Sequence, residues 1–414
     1  MKKNIFLLLI LLLLSSCNPS VNPTDYTPST HEHSFTSTWS YDEKTHWHAA
    51  TCLHDERQNE NDHEFNAYNY CKICGYKEGD SIEGNFKVTP HGVFGIVNSE
   101  LVRGDIVIPS TIKGITITII GSNCFSSKMQ IATITIPASV TEIDEGAFGN
   151  CSCTIIFEDG TEYIPEKALF RAYYVRKIII PNSVSSIGTS AFDSCSCLKE
   201  VTIPDSVVEI GDSAFCNCSI LSDFEIPQSV TNIGKMAFYK CEGLTELTIP
   251  ESVTTIGQSA FYGCSGIQEV SVPNSVTSLG SHVFLGCSSL VRAVIPDSIT
   301  TLGMSTFYKC TNLEDVTLPD TLTSIGQAAF YECKNIERMS IPNHVTSIGV
   351  QAFYGCRSLT SMTIPTSVTS IGHAAFYGCS SLSITYLGTR SQWNDIPKGE
   401  DAIPNTCVIH CSDD

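Results

Sequence analysis

Nine times in succession, the chain returns to the same residues at the same spacing. Prolines fall at 181, 204, 227, 250, 273, 296, 319, 342 and 365, each step being 23 residues. Phenylalanines keep the same interval from Phe192 to Phe376, and cysteines keep it from Cys195 to Cys379. Weaker copies precede this run: Ile136-Pro137 with Phe148 and Cys151, a coil from Ile164 to Phe170, and a first one around Ile108-Pro109 with Phe125. A period of this length marks stacked structural units, each too thin to bury its own apolar side.

The unit Leu244-Thr-Glu-Leu247-Thr-Ile249-Pro250-Glu-Ser-Val253-Thr-Thr-Ile256-Gly257-Gln-Ser-Ala260-Phe261-Tyr-Gly-Cys264 shows how one coil is built. Leu247 and Ile249 alternate with Glu246 and Thr248, as on a strand with one buried face. Pro250 ends that strand because it has no N–H to donate. Val253 and Ile256 form a second inward pair, Gly257 is expected to permit the next bend, and Phe261 is expected to fill the centre from a short turn. Composition agrees. Only 16% of residues are charged, below the ~25% usual in globular domains, and Ser, Thr, Ile and Val make up the difference, as befits β-structure. The expected fold is a mainly β solenoid of parallel strands and short 3-10 turns, about 11–12 coils of 23 residues over 84–388. Residues 389–414 are expected to cap it.

The pattern Leu-x-x-Leu-x-Ile-Pro-x-x-Val-x-x-Ile-Gly-x-x-Ala-Phe-x-x-Cys resembles the BspA-type leucine-rich repeat of bacterial and protozoan surface proteins. The tail, with Tyr386 to Trp393 and Val408 to Asp413, is similar to the ending of such arrays. The resemblance implies a leucine-rich repeat solenoid that adheres to or binds extracellular or host proteins.

The N-terminus reads as a processing segment. Lys2 and Lys3 precede an unbroken apolar run, Ile5 to Leu14, too short to span a bilayer and suited to a signal-peptide core. Leu14-Ser15-Ser16-Cys17 resembles the bacterial lipobox, which implies that residues 1–17 are a lipoprotein signal ending at Cys17, the lipidated residue. Residues 18–30, with Pro19, Pro23 and Pro28 among Ser, Thr and Asn, read as an extended tether. The expected location is therefore the bacterial cell envelope, exported, lipid-anchored and surface-exposed.

Between 31 and 78 the composition changes. Six of the chain's 11 histidines lie there, with Cys52, Cys71 and Cys74. Cys71-Lys-Ile-Cys74-Gly75 has the form of a zinc knuckle, and Cys52 with His48 or His46 would complete a tetrahedral set. A segment this short gains from such a staple. Export equally favours a Cys71–Cys74 or Cys52–Cys71 disulfide, so one structural zinc and a disulfide both stand as readings. The cysteine column of the array reads differently, as small buried free thiols.

Candidate binding residues lie on the outward side of the first strand. One column runs Glu200, Asp223, Glu246, Glu269, Arg292, Asp315, Arg338 and Ser361, and beside it Thr202, Glu225, Thr248, Ser271, Val294, Thr317, Ser340 and Thr363. A second stripe, Tyr239, Tyr262, Tyr308, Tyr331, Tyr354 and Tyr377, is interrupted by Leu285. It reads as rings that shield the Phe column, with an aromatic contact strip as the alternative. The net charge of −19 argues against nucleic-acid partners, which require a basic face. No His-Glu-x-x-His, Gly-x-Ser-x-Gly or Walker-type sequence occurs. The expectation is a non-enzymatic surface protein that binds proteins, set against a structural envelope component without a specific partner. A zinc-dependent exported enzyme ranks last, because a small tethered module lacks a catalytic cleft.

Overall fold

The computed structural model describes residues 40–41, 45–49, 57–62, 81–97, 102–128 and 130–414, those before residue 83 by backbone alone. Cys17, Cys52, Cys71 and Cys74 lie outside the described residues. The chain divides into two compact units, residues 1–101 with 112–115, and residues 102–111 with 116–414. In the first unit Ser40–Tyr41, Thr45–Ala49 and Arg57–Asp62 form a three-stranded antiparallel sheet. His46 and His48 lie on its middle strand, in register with Asn61 and Gln58. A second antiparallel set comprises Ser81–Glu83, Phe86–Val88 and Val93–Ile96.

The second unit is a parallel β-solenoid of about 23 residues per coil, and the whole array runs to about 14 turns. Each coil carries a first strand before the proline and a two-residue second strand after it. First strands pair in parallel from Gly104–Val107 through Ile131–Ile136, Thr154–Phe157 and Lys177–Ile179 to Glu200–Thr202. Second strands pair likewise from Tyr163–Ile164 to Ser278–Leu279 and again from Thr301–Leu302 to Ser370–Ile371. Partners sit 23 residues apart in the regular coils, as with Ile233 and Ile256. The sequence period thus becomes a ladder in which like residues stack. Serines of the proline turn reinforce it: Ser252 Oγ donates to the carbonyl of Val230, 2.7 Å away in the preceding coil.

The Ala-Phe corner forms a third ladder. Around Phe261, the amides of Ser259, Phe261 and Gly263 donate forward to Ser281, Val283 and Leu285 at 2.9, 3.0 and 2.7 Å. The intervening amides of Ala260, Tyr262 and Cys264 close turns within the coil, onto Gly257, Ser259 and Phe261. Sending alternate amides the same way requires left-handed backbone two residues before and two after each Phe. Ser259 (φ 57°) and Gly263 (φ 70°) supply it here. In other coils non-glycine residues hold both places, as Ser213 and Asn217 do at 56° and 58°. Each such residue costs roughly 1–2 kcal/mol, which the inter-coil bonds offset.

Gly257 acts through contact rather than bending. A Cβ there would come within 2.5 Å of the Lys235 amide nitrogen in the preceding coil. Glycine therefore lets two coils approach closely, and its place in the repeat reflects the stacking distance.

Phe rings fill the axis. Phe125 and Phe148 stack at 5.4 Å, and consecutive rings from Phe192 to Phe376 lie 5.1–5.9 Å apart. In the degenerate coil Leu169 takes the axial place, its amide reaching Ala191 O at 2.6 Å, and Phe170 lies at the half-buried position beside it. At the far end the carbonyls of Glu400 and Ala402 accept from Ala374 and Phe376 at 2.9 Å each, Val408–His410 pairs with Ser383–Tyr386, and Trp393 packs 5.3 Å from Tyr386. The short helix Arg390–Asp395 is held by a capping box between Thr389 and Gln392.

Phe261→Ala is expected to lower unfolding free energy by about 3–5 kcal/mol, since it opens a cavity in the ring stack. Cys264→Ala is expected to cost about 1–2 kcal/mol, because the carbonyl it serves keeps a second partner. Urea denaturation of the two variants checks the order.

Candidate binding face

The repeated cysteines are structural. Cys195 donates to the carbonyl of Leu169, and each later column thiol to the carbonyl of the Phe 26 residues before it, at 3.0–3.3 Å. The same Phe carbonyl accepts its own coil's Cys amide, as Phe238 O does from Cys241 N at 3.1 Å. Both lone pairs of a buried carbonyl are thereby satisfied. All nine column cysteines are free thiols with no exposed surface. Burial pushes the column thiols from Cys195 to Cys356 up, Cys287 to about 12. Among off-register cysteines, Cys153 lies 3.0 Å from Cys151, both buried.

These thiols make the fold alkali-sensitive. Below the ordinary thiol value of 9.0 folded and unfolded chains both keep their protons. Above it only the unfolded chain releases them, so stability falls as pH rises from about 9 toward the folded value near 12 for Cys287. Thermal melting between pH 8 and 11 should show a falling midpoint, with a smaller fall in Cys287→Ser.

The outward column of the first strands is solvent-facing. Asp223, Glu246, Glu269, Arg292, Asp315 and Arg338 are exposed and Glu200 is half-buried. Its charges are partly self-paired. Arg292 reaches Glu269 at 3.1 Å and Asp315 at 3.7 Å, spanning three consecutive coils. Lys177, one coil before, holds Glu200 at 2.5 Å. Such exposed pairs each contribute at most about 1 kcal/mol and chiefly set the charge pattern. Asp223, Glu225 and Glu246 make no ion pair among the described residues.

The first-strand ladder is not continuous across this face. It stops at Glu200–Thr202, leaves a single bridge from Glu200 to Asp223, and resumes at Glu269–Ser271. A cleft of about 880 Å³ opens there, lined among others by Glu200, Asp223, Phe224, Glu225 and Glu246. Residue-by-residue reading of the polar column missed it. The signal was in the inward column, where Phe224 stands in the place of Val201, Leu247, Val270 and Ala293. The ladder also skips between Asp315–Thr317 and Arg338–Ser340, where no oversized residue explains it.

The tyrosines form two runs, as Leu285 divides them. Tyr239 and Tyr262 stack at 4.5 Å, and Tyr308, Tyr331, Tyr354 and Tyr377 stack in series at 4.5, 4.7 and 5.1 Å. Five of the six are half-buried; Tyr377, at the open end, is exposed. Partial burial and neighbouring phenols raise the titration of Tyr239 and Tyr331.

A parallel solenoid whose coils repeat Leu, Ile-Pro, Ala-Phe and Cys in fixed columns is a leucine-rich repeat protein. The sequence pattern of the BspA type leucine-rich repeat region matches residues 105–220, 162–291 and 283–396, in 6 copies, and the chain belongs to that family. Such families supply protein-binding repeats, are typically non-enzymatic, and their members are typically bacterial surface proteins. The solved pneumococcal vaccine antigen PcpA is similar in fold, with 22% identity, a TM-score of 0.52, and coverage of 80% of this chain and 93% of that one. A leucine-rich cell surface protein of Faecalibacterium prausnitzii A2-165 shows 28% identity over 78% of this chain and 98% of its own, with a TM-score of 0.49. A leucine-rich repeat protein of Bacteroides ovatus ATCC 8483 shows 26% identity, coverage of 80% and 99%, and a TM-score of 0.48. No curated protein matches the chain. Among the described residues no helix is long and apolar enough to cross a membrane.

Proposed function

We propose that this is a lipid-anchored protein of the bacterial cell surface that adheres to host, matrix or neighbouring-cell proteins through the outward face of its first strands. The observation that supports it is the alignment of exposed polar side chains, one per coil from Asp223 to Arg338, those from Glu269 to Asp315 on paired strands. Side chains fixed at regular spacing on ladders lose little entropy when a partner arrives. Arg292 and Arg338 supply the donor-rich anchors that protein interfaces favour. In this reading Cys17 carries the acyl anchor and residues 18–30 hold the folded part off the membrane. The 31–78 module is a spacer stabilised by one structural zinc at Cys52, Cys71, Cys74 and His48 or His46, a donor set of the kind zinc takes.

The test is capture of extracellular-matrix and serum proteins by the full chain displayed on cells. Arg292→Glu with Arg338→Glu, and separately Glu246→Lys with Glu269→Lys, should each weaken capture at least tenfold without altering the fold, because all four side chains are exposed. Tyr331→Ala with Tyr354→Ala should leave capture intact. The opposite result would move the contact to the tyrosine edge. Cys17→Ala should abolish fatty-acid labelling and release the protein from the cell.

A further inference from the structure

The break in the first-strand sheet has a local cause and a chemical consequence. Several regular coils are joined at the end of the first strand in the same way. The amide before the proline donates to the coil that follows, as from Val272 to Val294, Ile295 to Thr317 and Ile341 to Thr363, at 3.0, 3.0 and 2.9 Å. No such backbone bond forms from Ile203, Ile226 or Ile249, nor from Ile180 and Leu318 outside the cleft. What sets the stretch from Asp223 to Glu269 apart is that regular strand pairing itself is lost there, with the single Glu200–Asp223 bridge left at its edge. The corner ladder beside it is intact, with Phe215, Phe238 and Phe261 donating at 2.8, 2.8 and 3.0 Å.

Phe224 sits at the centre of the opening. Its ring meets Phe215 and Phe238 edge-on, with centroids 5.4 and 4.9 Å away. Regular coils place Val, Leu, Ala or Met at this position, beside a Phe axis that already fills the core. Extra side-chain volume in a close-packed interior is relieved by moving backbone, and here the strand yields while the corner holds. Phe224 itself remains half-buried, and so does Leu247 in the next coil, although Val201 and Val270 on either side are 3% exposed each.

Apart from the Glu200–Asp223 bridge, the opening leaves main-chain groups of two coils without inter-strand partners among the described residues, at the rim of a cleft of about 880 Å³. A cleft of that size takes a ligand group rather than a single water. Its charge is of one sign. Asp223, Glu225 and Glu246 line it without an ion partner among the described residues, and the fourth carboxylate, Glu200, is held by Lys177 at its edge. The floor presents an aromatic edge and the apolar side chains of Val201 and Ile226.

We propose that this cleft is the docking site for an extended, arginine-bearing segment of a partner protein. A guanidinium carries five donors in a planar fork and no acceptor. It suits a site that offers carboxylates and carbonyls without inter-strand partners, and its weak hydration suits the apolar floor. Ammonium groups match the charge but not the fork. The proposal rests on the protein-binding reading and specifies the chemistry of its partner.

The test uses the full chain and a fluorescein-labelled octapeptide of alternating Arg and Thr, with the same peptide carrying citrulline for Arg as a neutral isostere, and a Lys version. The Arg peptide should bind saturably and weaken with salt. The citrulline peptide should bind at least tenfold more weakly, and the Lys peptide between the two. Glu225→Gln with Glu246→Gln, both exposed, should reduce Arg-peptide affinity at least tenfold with the melting curve unchanged. Phe224→Val, which restores the residue of the regular coils, should lower binding similarly and raise strand content. Equal binding of the Arg and citrulline peptides, or wild-type affinity in the Glu225/Glu246 variant, overturns the proposal. Partners captured through the remaining face would then stand, and with them the broader protein-binding reading.

Discussion

Stacking of each coil on the next is the interaction on which everything else here depends. A single coil has one layer of apolar side chains and a backbone whose amides point along the stack. Neither is satisfied without a neighbour. The Phe corner meets both needs at once. Alternating left- and right-handed backbone sends every second amide forward, the thiol of the following coil returns to the Phe carbonyl, and the rings stack between them. Because this corner stays bonded through the break, the first-strand face can lose its pairing between Asp223 and Glu269 without the stack coming apart. Tolerance at one face comes from redundancy at another.

That division accounts for what the sequence made legible. Pro250, Phe261 and Cys264 mark columns whose chemistry is the same in every coil, so period and register could be read directly, as could the burial of Val253 and Ile256. Backbone conformation could not. Ser213, Met236 and Ala328 hold left-handed geometry that their residue types do not advertise, because hydrogen bonds between coils, not local propensity, impose it. Gly257 was legible as a required glycine but for a different reason. Its missing Cβ matters across 23 residues of chain, to Lys235, and only the stacked structure shows that contact. The thiols were read as small apolar groups. Their acceptors, carbonyls 26 residues earlier, again belong to the stack.

The outward face of the first strands was half legible. Alternation on the first strand placed Glu246, Glu269 and Arg292 on the outward side, where they are exposed. Self-pairing of Arg292 with Glu269 and Asp315 was not visible in a column read one residue at a time, and it leaves the unpaired acidity concentrated near Asp223, Glu225 and Glu246. The cleft there follows from one inward residue, Phe224, acting on its neighbours' backbone. Departures from the repeat matter to the surface as much as the repeat itself: regular coils give an evenly spaced face, and an irregular one gives it a place that differs from the rest.

The central claim is that the Phe corner is closed by hydrogen bonds running from coil to coil, forward from the amides and back from the column thiols, and the S–H stretching band tests the thiol part of it most directly. Infrared spectra of the folded protein should show the column thiols as a band shifted to lower frequency than that of an exposed thiol, returning to the unbonded position on denaturation and losing intensity stepwise as Cys264, Cys287 and Cys310 are replaced by Ser. A folded-state band at the unbonded position, or its absence through disulfide formation, would contradict the account.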